Sequence, residues 1–328
     1  MSGSGTGRGS ATGLDNIYPV EITPPDLTPY AKGNNGIPYI WTWDSGQPGP
    51  HVAVTALVHG NEPCGAVTLD WLMRDELRPA QGRLSLGFIN IAAYEAFDPE
   101  EPDATRWIDE DFNRLWAPGR LDDGVRETAE VMRAREIRPW LDTVDLLLDI
   151  HSMQHKTEPL TIAGWQKRSA ELARRMGTPP VIVADQGHAE GMRMRDYAGF
   201  SEDGSDKTAV LIECGQHWES ASVDVAKAAT TGFLRATGVV APDWGDLPAA
   251  PAPELLQVTE AVTIETENFR FAEDWRGFER LAKGTLIGTD GRREVRAPHE
   301  PTVLIMPSRR LWPGKTAVRL AHPVPAGA

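Results

Sequence analysis

Cysteine is nearly absent: two in 328 residues, Cys64 and Cys214. Two cannot build a disulfide framework, so the chain reads as an intracellular, cytoplasmic protein. Long apolar runs are missing as well, and nothing approaches the roughly 18 residues of a membrane span. The first residues (MSGSGTGRGSATG) lack the apolar core of a signal peptide and read, through residue 14, as a flexible tail. Positive charge is in deficit, with 33 Lys plus Arg against 47 Asp plus Glu, a formal −14. That deficit excludes the electrostatic footprint of a nucleic-acid binder and disfavours an anionic membrane surface. It does not forbid a local basic pocket.

What is present describes an ordinary globular chain, 41% hydrophobic and 24% charged. Short runs rich in branched residues at 52–58, 84–91, 144–150, 181–184 and 209–212 read as buried strands. Helical patterns at 66–77, 125–141, 166–176 and 222–237 separate them, so the fold class is α/β with a mostly parallel or mixed sheet. A proline-rich stretch at 241–253 marks a boundary. Beyond it, short alternating segments at 257–264, 284–287, 294–297 and 302–306 predict a small β-rich unit. The expected organisation is a tail at 1–14, a catalytic domain at 15–245, and a linker with a small β domain at 246–328.

In open α/β sheets ligands bind beyond the carboxyl ends of strands. The run 52–58 leads into His59-Gly60-Asn61-Glu62, the run 144–150 into His151-Ser152, and the run 209–212 into Glu213-Cys214-Gly215. Three strand ends therefore deliver two histidines and two glutamates. His-x-x-Glu alone is a cheap pattern, as the second copy, His155-Lys156-Thr157-Glu158, shows. Only the first copy leaves a buried strand through a glycine. His59, Glu62 and His151 make a His₂Glu set, the donor type of open catalytic zinc sites, and leave Glu213 free as general base. The bland alternative is that both histidines are satisfied core residues and both glutamates surface groups. A polar cluster at 105–116 adds Asn113-Arg114, read either as a clamp for a carboxylate or as a surface loop whose arginine pairs with Asp109, Glu110 or Asp111.

These blocks, His59-Gly60-Asn61-Glu62, Thr105-Arg106-Trp107-Ile108-Asp109 with Asp111-Phe112-Asn113-Arg114, Asp149-Ile150-His151 and Glu213-Cys214-Gly215, resemble in order the succinylglutamate desuccinylase/aspartoacylase family, itself related to the zinc carboxypeptidases. Asn268-Phe269-Arg270-Phe271 and the segment 278–284 are similar to that family's C-terminal β domain. The resemblance implies a carboxypeptidase-like three-layer α/β/α fold with a mixed sheet plus a small C-terminal β-rich domain. It implies one Zn²⁺ per chain on His59, Glu62 and His151, and hydrolysis of an N-acyl amino acid by zinc-activated water. Glu213 matches the catalytic glutamate and Arg106 an arginine that polarises the carbonyl. Asn113 and Arg114 match the pair that holds a substrate carboxylate, and Asp149 would orient His151 or a neighbouring ligand.

The chain departs from the family in two respects: no tyrosine follows Tyr197 to approach the substrate from the C-terminal domain, and Ser152-Met153-Gln154-His155 after His151 has no match in the acetylaspartate enzymes. The stretch 187–199, with Arg193 and Arg195, reads as a lid carrying charge for a second substrate carboxylate, or as arginines balancing Asp185, Glu190 and Asp196 at the surface. His155 and His217 are pocket candidates or exposed loop histidines. Trp107, Trp116 and Trp218 read as packing residues, with a pocket for a bulky acyl group as the other option. Two further readings stand beside the deacylase: a carboxypeptidase or other amide or ester hydrolase on the same fold, and a non-catalytic zinc or metabolite-binding relative. The expected partner is a small-molecule N-acyl amino acid, with a homo-oligomer compatible with the sequence.

Overall fold

The computed structural model describes residues 18–187 and 191–325. The expected tail at 1–14, and His188, Ala189 and Glu190 of the expected lid, lie outside them. The catalytic half runs β1 (Ile40–Asp44), β2 (His51–Ala56), α1 (Pro63–Arg74), β3 (Arg83–Phe88), α2 (Ile91–Glu95), α3 (Ala129–Leu141), β4 (Leu146–Met153), β5 (Leu160–Ala163), α4 (Lys167–Met176), β6 (Val181–Ala184), β7 (Thr208–Gln216) and α5 (Ala221–Thr237). The rest is strand: β8 (Glu254–Thr263), β9 (Phe269–Phe271), β10 (Arg280–Leu281), β11 (Leu286–Asp290), β12 (Arg293–Arg296), β13 (Thr302–Ile305) and β14 (Thr316–Val324).

Among the described residues eleven strands form one mixed sheet in the order β1-β3-β2-β4-β7-β5-β6-β8-β14-β13-β10, and β12-β11-β9 form a separate antiparallel sheet. The middle of the large sheet, β3-β2-β4-β7, is parallel. Its strands are apolar on both faces because both are covered. Val52, Val54, Leu148, Ile150, Val210 and Ile212 face a core shared with α1, α4 and α5. Ala53, Leu147 and Ala209 face Val131, Ala134 and Ile137 of α3 on the other side. The result is the three-layer α/β/α arrangement. No helix of the described residues is long and apolar enough to cross a membrane.

Helix starts shift from their expected places for local reasons. α1 begins at Pro63, three residues early, because proline at a first helical position lacks only an amide hydrogen that would be unpaired anyway. α3 begins at Ala129 rather than 125, because Thr128 caps it, its Oγ1 accepting from Val131 N at 3.2 Å. The edge strand β1 and the returning strand β14 were not visible in the pattern. β8 begins at Glu254 and pairs in parallel with β6, from Val181↔Glu254 to Ala184↔Gln257, so the large sheet continues past the proline-rich stretch.

The chain leaves β2 through α1 to β3 on one side, and returns through α3 to β4 on the other. Strand order therefore reverses between β2 and β4, which opens a crevice at their carboxyl ends.

Candidate active site

The turn after β2 is built under constraint. Leu57 adopts φ +63°, a left-handed conformation that costs a bulky residue about 1–2 kcal/mol and turns the chain off the strand. A Cβ on Gly60 would stand 2.3 Å from the carbonyl carbon of Ala93, so only glycine fits there. Gly60 N donates to Arg106 O at 3.1 Å, which docks the 105–116 loop onto this turn. Glu62 occupies the N-cap of α1 without capping it. Its carboxylate turns instead to the two histidines.

His59 Nδ1 lies 2.8 Å from Glu62 Oε1, and His151 Nδ1 lies 2.9 Å from Glu62 Oε2. One donor atom from each residue falls within 4.8 Å of the others, and all three side chains are buried. Each imidazole presents its other nitrogen to a carboxylate: His151 Nε2 to Asp149 Oδ2 at 2.8 Å, and His59 Nε2 to Asp111 Oδ1 at 3.1 Å. Such partners fix the ring and its tautomer in metal sites. Burial would raise the Glu62 carboxyl, but His59 and His151 outweigh it and hold it well below the usual range. Burial would likewise depress His151, but Asp149 and Glu62 outweigh it and keep the ring well above the usual imidazole value. Two imidazoles and a carboxylate already converging fit a divalent cation of the borderline class, and the Arg106 guanidinium also reaches this cluster, its Nη2 lying 3.1 Å from His59 Nε2.

Glu213 stands on β7 beside His151 of β4, the two being register partners. Its Oε2 is buried with no hydrogen-bond partner. Burial pushes its carboxyl up to about 8, with His151 and Arg106 pulling the other way and Glu62 adding to the rise. A carboxyl poised near neutrality suits proton transfer. Arg106 donates from Nη1 to Glu62 Oε1 at 2.9 Å. Asn113 accepts from Met194 N through Oδ1 at 2.9 Å and points Nδ2 toward His151 Nε2 at 3.3 Å. Arg114 donates to Asn113 O at 2.8 Å, and Gly191 backs so closely onto it that a Cβ would meet Arg114 O at 2.4 Å.

Two positioning residues escaped the sequence reading. Asp111 was only one of three acids in a cluster. Here burial would raise its carboxyl, but His59, Arg106 and Arg114 hold it far below the usual range. Glu130, fully buried on α3, accepts from the backbone of Ile108 at 2.7 Å, Asp109 at 3.1 Å and Glu110 at 3.3 Å, and from Asn90 Nδ2 at 3.0 Å. It pins the loop that carries Arg106. A glutamate at the head of a helix gives no signal that its partners lie some twenty residues upstream.

These groups open onto a cavity of about 130 Å³. His59, Arg106, Asn113, Arg114, His151 and Glu213 line one side, and Ile162, Val183, Leu211, Ile305 and Met306 another. Asp185, Arg193 and Arg319 complete it, so the C-terminal strands supply three lining residues. Arg193 is buried, with Nε 2.6 Å from Asp196 Oδ2 and Nη1 3.2 Å from Asp185 Oδ2. Arg195 is fully buried, bonded to Asp196 at 2.5 Å and to the carbonyl of Ala209, and does not line the cavity. Both arginines are thus engaged inside the protein, not at its surface. His217 is buried against Ser152 Oγ at 2.8 Å, and burial pushes it down to about 3. His155, in the second His-x-x-Glu copy, is half-buried near Arg309 and Arg310, and neither histidine lines the cavity. Trp116 and Trp218 are core residues, and Cys64 and Cys214 are buried thiols. Trp107 lies beneath the Arg106 guanidinium, 5.6 Å from ring centre to carbon.

The family profile of the succinylglutamate desuccinylase/aspartoacylase catalytic domain matches residues 48–237. That interval holds every metal-site and catalytic candidate named above, but not Ile305, Met306 or Arg319. No curated protein matches the sequence. Among solved structures, the succinylglutamate desuccinylase of Chromobacterium violaceum is similar at 16% identity and TM-score 0.64, over 90% of this chain and 93% of that one. The desuccinylase from Vibrio cholerae gives 16% identity and 0.64 over 84% and 82%. The succinylglutamate desuccinylase/aspartoacylase of Rhodobacter sphaeroides gives 20% identity and 0.60 over 88% and 89%.

Proposed function

The chain belongs to the succinylglutamate desuccinylase/aspartoacylase family of hydrolases, and on that premise we propose that it is a zinc-dependent amidohydrolase cleaving the amide bond of an N-acyl amino acid. The observation that carries this reading is the convergence of His59 Nδ1 and His151 Nδ1 on the Glu62 carboxylate beside the unpartnered, buried Glu213 Oε2. His59, Glu62 and His151 would hold one Zn²⁺ per chain. When bound, such an ion supplies a Lewis acid that acidifies water and polarises a carbonyl oxygen.

The protein's own groups do the rest. Glu213 takes a proton from the attacking water as the new C–O bond forms, and returns it to the amine nitrogen as the C–N bond breaks. Arg106 donates hydrogen bonds to the carbonyl oxygen as negative charge develops there. Asn113 and Arg114 hold the substrate carboxylate, a planar acceptor suited to a guanidinium fork. Asp149 and Asp111 keep His151 and His59 turned toward Glu62.

Hydrolysis of N-acetyl, N-succinyl and aryl-acyl amino acids by the zinc-loaded protein, with a chelator control and metal analysis, tests the reading. Release of free amine that the chelator abolishes and zinc restores is expected. Turnover of no member of the panel, or turnover indifferent to metal, would sink it.

A further inference from the structure

The cavity has a second character besides the polar one. Sheet register sets Leu211 of β7 opposite Ile162 of β5, and Ile162 beside Val183 of β6. These three form one row across adjacent strands, on the same face of β7 as Glu213 two residues on. Ile305, the last residue of β13, packs in the same apolar cluster as the row, and Met306 just past it packs against that cluster; both line the cavity. Behind it lies a core that includes Leu256 and Val303, so the wall is the open face of a packed apolar cluster.

Arg193, which shares the cavity with that wall, is already engaged. All three nitrogens of the Arg193 guanidinium contact carboxylates: Nε and Nη2 meet Asp196 at 2.6 and 3.3 Å, and Nη1 meets Asp185 at 3.2 Å. Asp185 also stands 3.2 Å from Arg319 Nε and accepts from Gly187 N at 3.1 Å. A second substrate carboxylate placed here would be desolvated against five aliphatic side chains and would compete with Asp185 and Asp196 for Arg193. An apolar group gains from the same wall. The whole cavity, polar groups included, is about 130 Å³, so the part beside the wall takes a small group.

We infer that this wall, Ile162, Val183, Leu211, Ile305 and Met306, receives an uncharged aliphatic group next to the scissile amide, so that the substrate is a monocarboxylic N-acyl amino acid and not a dicarboxylic one. This rests on the hydrolase reading above for the word amide, but not for the preference between apolar and charged groups. The wall lies partly beyond the region matched by the family profile, and nothing in that match dictates it.

The test uses the full-length, zinc-loaded protein and four compounds: N-acetyl-leucine and N-isovaleryl-glycine against N-acetyl-aspartate and N-succinyl-glutamate. The kcat/KM of each is measured, and the Kd of each for the Glu213→Gln variant is measured by calorimetry. One aliphatic compound is expected to exceed both dicarboxylates at least tenfold in kcat/KM and in affinity, the scale on which small apolar groups are discriminated. Which one it is tells whether the acyl side or the amino-acid side faces the wall. Met306→Lys, at a half-buried position, is expected to narrow that preference at least tenfold while Met306→Leu keeps it. Dicarboxylates that bind or react as well as the aliphatic compounds overturn the assignment and leave the hydrolase reading intact. Tighter aliphatic binding with no hydrolysis of any of the four upholds the assignment and sinks the hydrolase reading. Binding of none of the four overturns both.

Discussion

His51 opens β2 and His59 lies just past its end, so a single strand carries a buried histidine at each extremity. At the amino end, His51 places Nδ1 3.0 Å from Thr143 O and Nε2 2.7 Å from Ser85 Oγ. Burial pushes it down to about 4, with Arg83 adding to the depression. It is a neutral ring with neutral partners, tying β2 to β3 and to the turn before β4. At the carboxyl end, His59 and His151 share a glutamate, and each has an aspartate behind it. Residue type and burial are the same at both ends. What differs is the number of carboxylates, which makes one end a structural clasp and the other a place where a cation belongs.

The strongest way to break this contrast is Glu213→Gln. It should lower kcat by about 10³-fold, the scale of a lost general base, while zinc content by elemental analysis stays at one per chain. A substantially active Glu213→Gln enzyme removes the assignment of the base. Exchanging the two ends comes next. His151→Ala should abolish stoichiometric zinc, whereas His51→Ala should keep the metal and lower the unfolding free energy by about 2–3 kcal/mol, since Thr143 O loses its partner, Ser85 Oγ keeps only Thr42 and Trp140, and the buried ring leaves a cavity. If His51→Ala lost the metal instead, the two ends would not be separate in function.

The pH dependence of stability sharpens the same point. The His51 pKa falls from about 6.5 unfolded to about 4 folded. Between those values the unfolded chain binds the extra proton, so stability falls as the solution is acidified. The contribution of the neutral ring is complete above pH about 6.5 and is lost progressively toward pH about 4, at most about 3 kcal/mol. Denaturant titrations of the metal-free protein across that window should show this slope, and His51→Gln should flatten it. The smallest effect is expected for Asp149→Asn. It should weaken zinc about 10–100-fold with the ligands intact, read by competition with a chromophoric chelator. Unchanged affinity would mean that Asp149 does not hold His151.

Much of the site could be read in one dimension because its residues sit where strands end. Periodicity located the strands, and the residues just beyond three of the expected runs were His59 with Glu62, His151 and Glu213. In the fold β4 and β7 run on to Met153 and Gln216, so His151 and Glu213 lie within the last residues of those strands. The partners that arrange them could not be read that way. Glu130 reaches back to the backbone of Ile108, Asp109 and Glu110 only because α3 packs against β2 and the loop follows. Asp111 was indistinguishable from Asp109 and Glu110 until one carboxylate met His59 Nε2. Arg193 and Arg195 carried the charge expected of them, but Asp185 and Asp196 take it up.

The sequence by itself determined the α/β class, the apolar parallel strands and the residue types at their ends, because helix and strand periods and turn chemistry are local properties of the chain. It also determined the chain's formal net charge of −14. Only the tertiary structure decided who faces whom. The row Leu211–Ile162–Val183 exists because β5 and β6 pair where they do, and Met306 and Arg319 join the cavity because β8 carries the C-terminal strands onto the same sheet. Cross-strand neighbours depend on strand order and register, which are settled by packing across the whole domain and leave no mark in the spacing of residues.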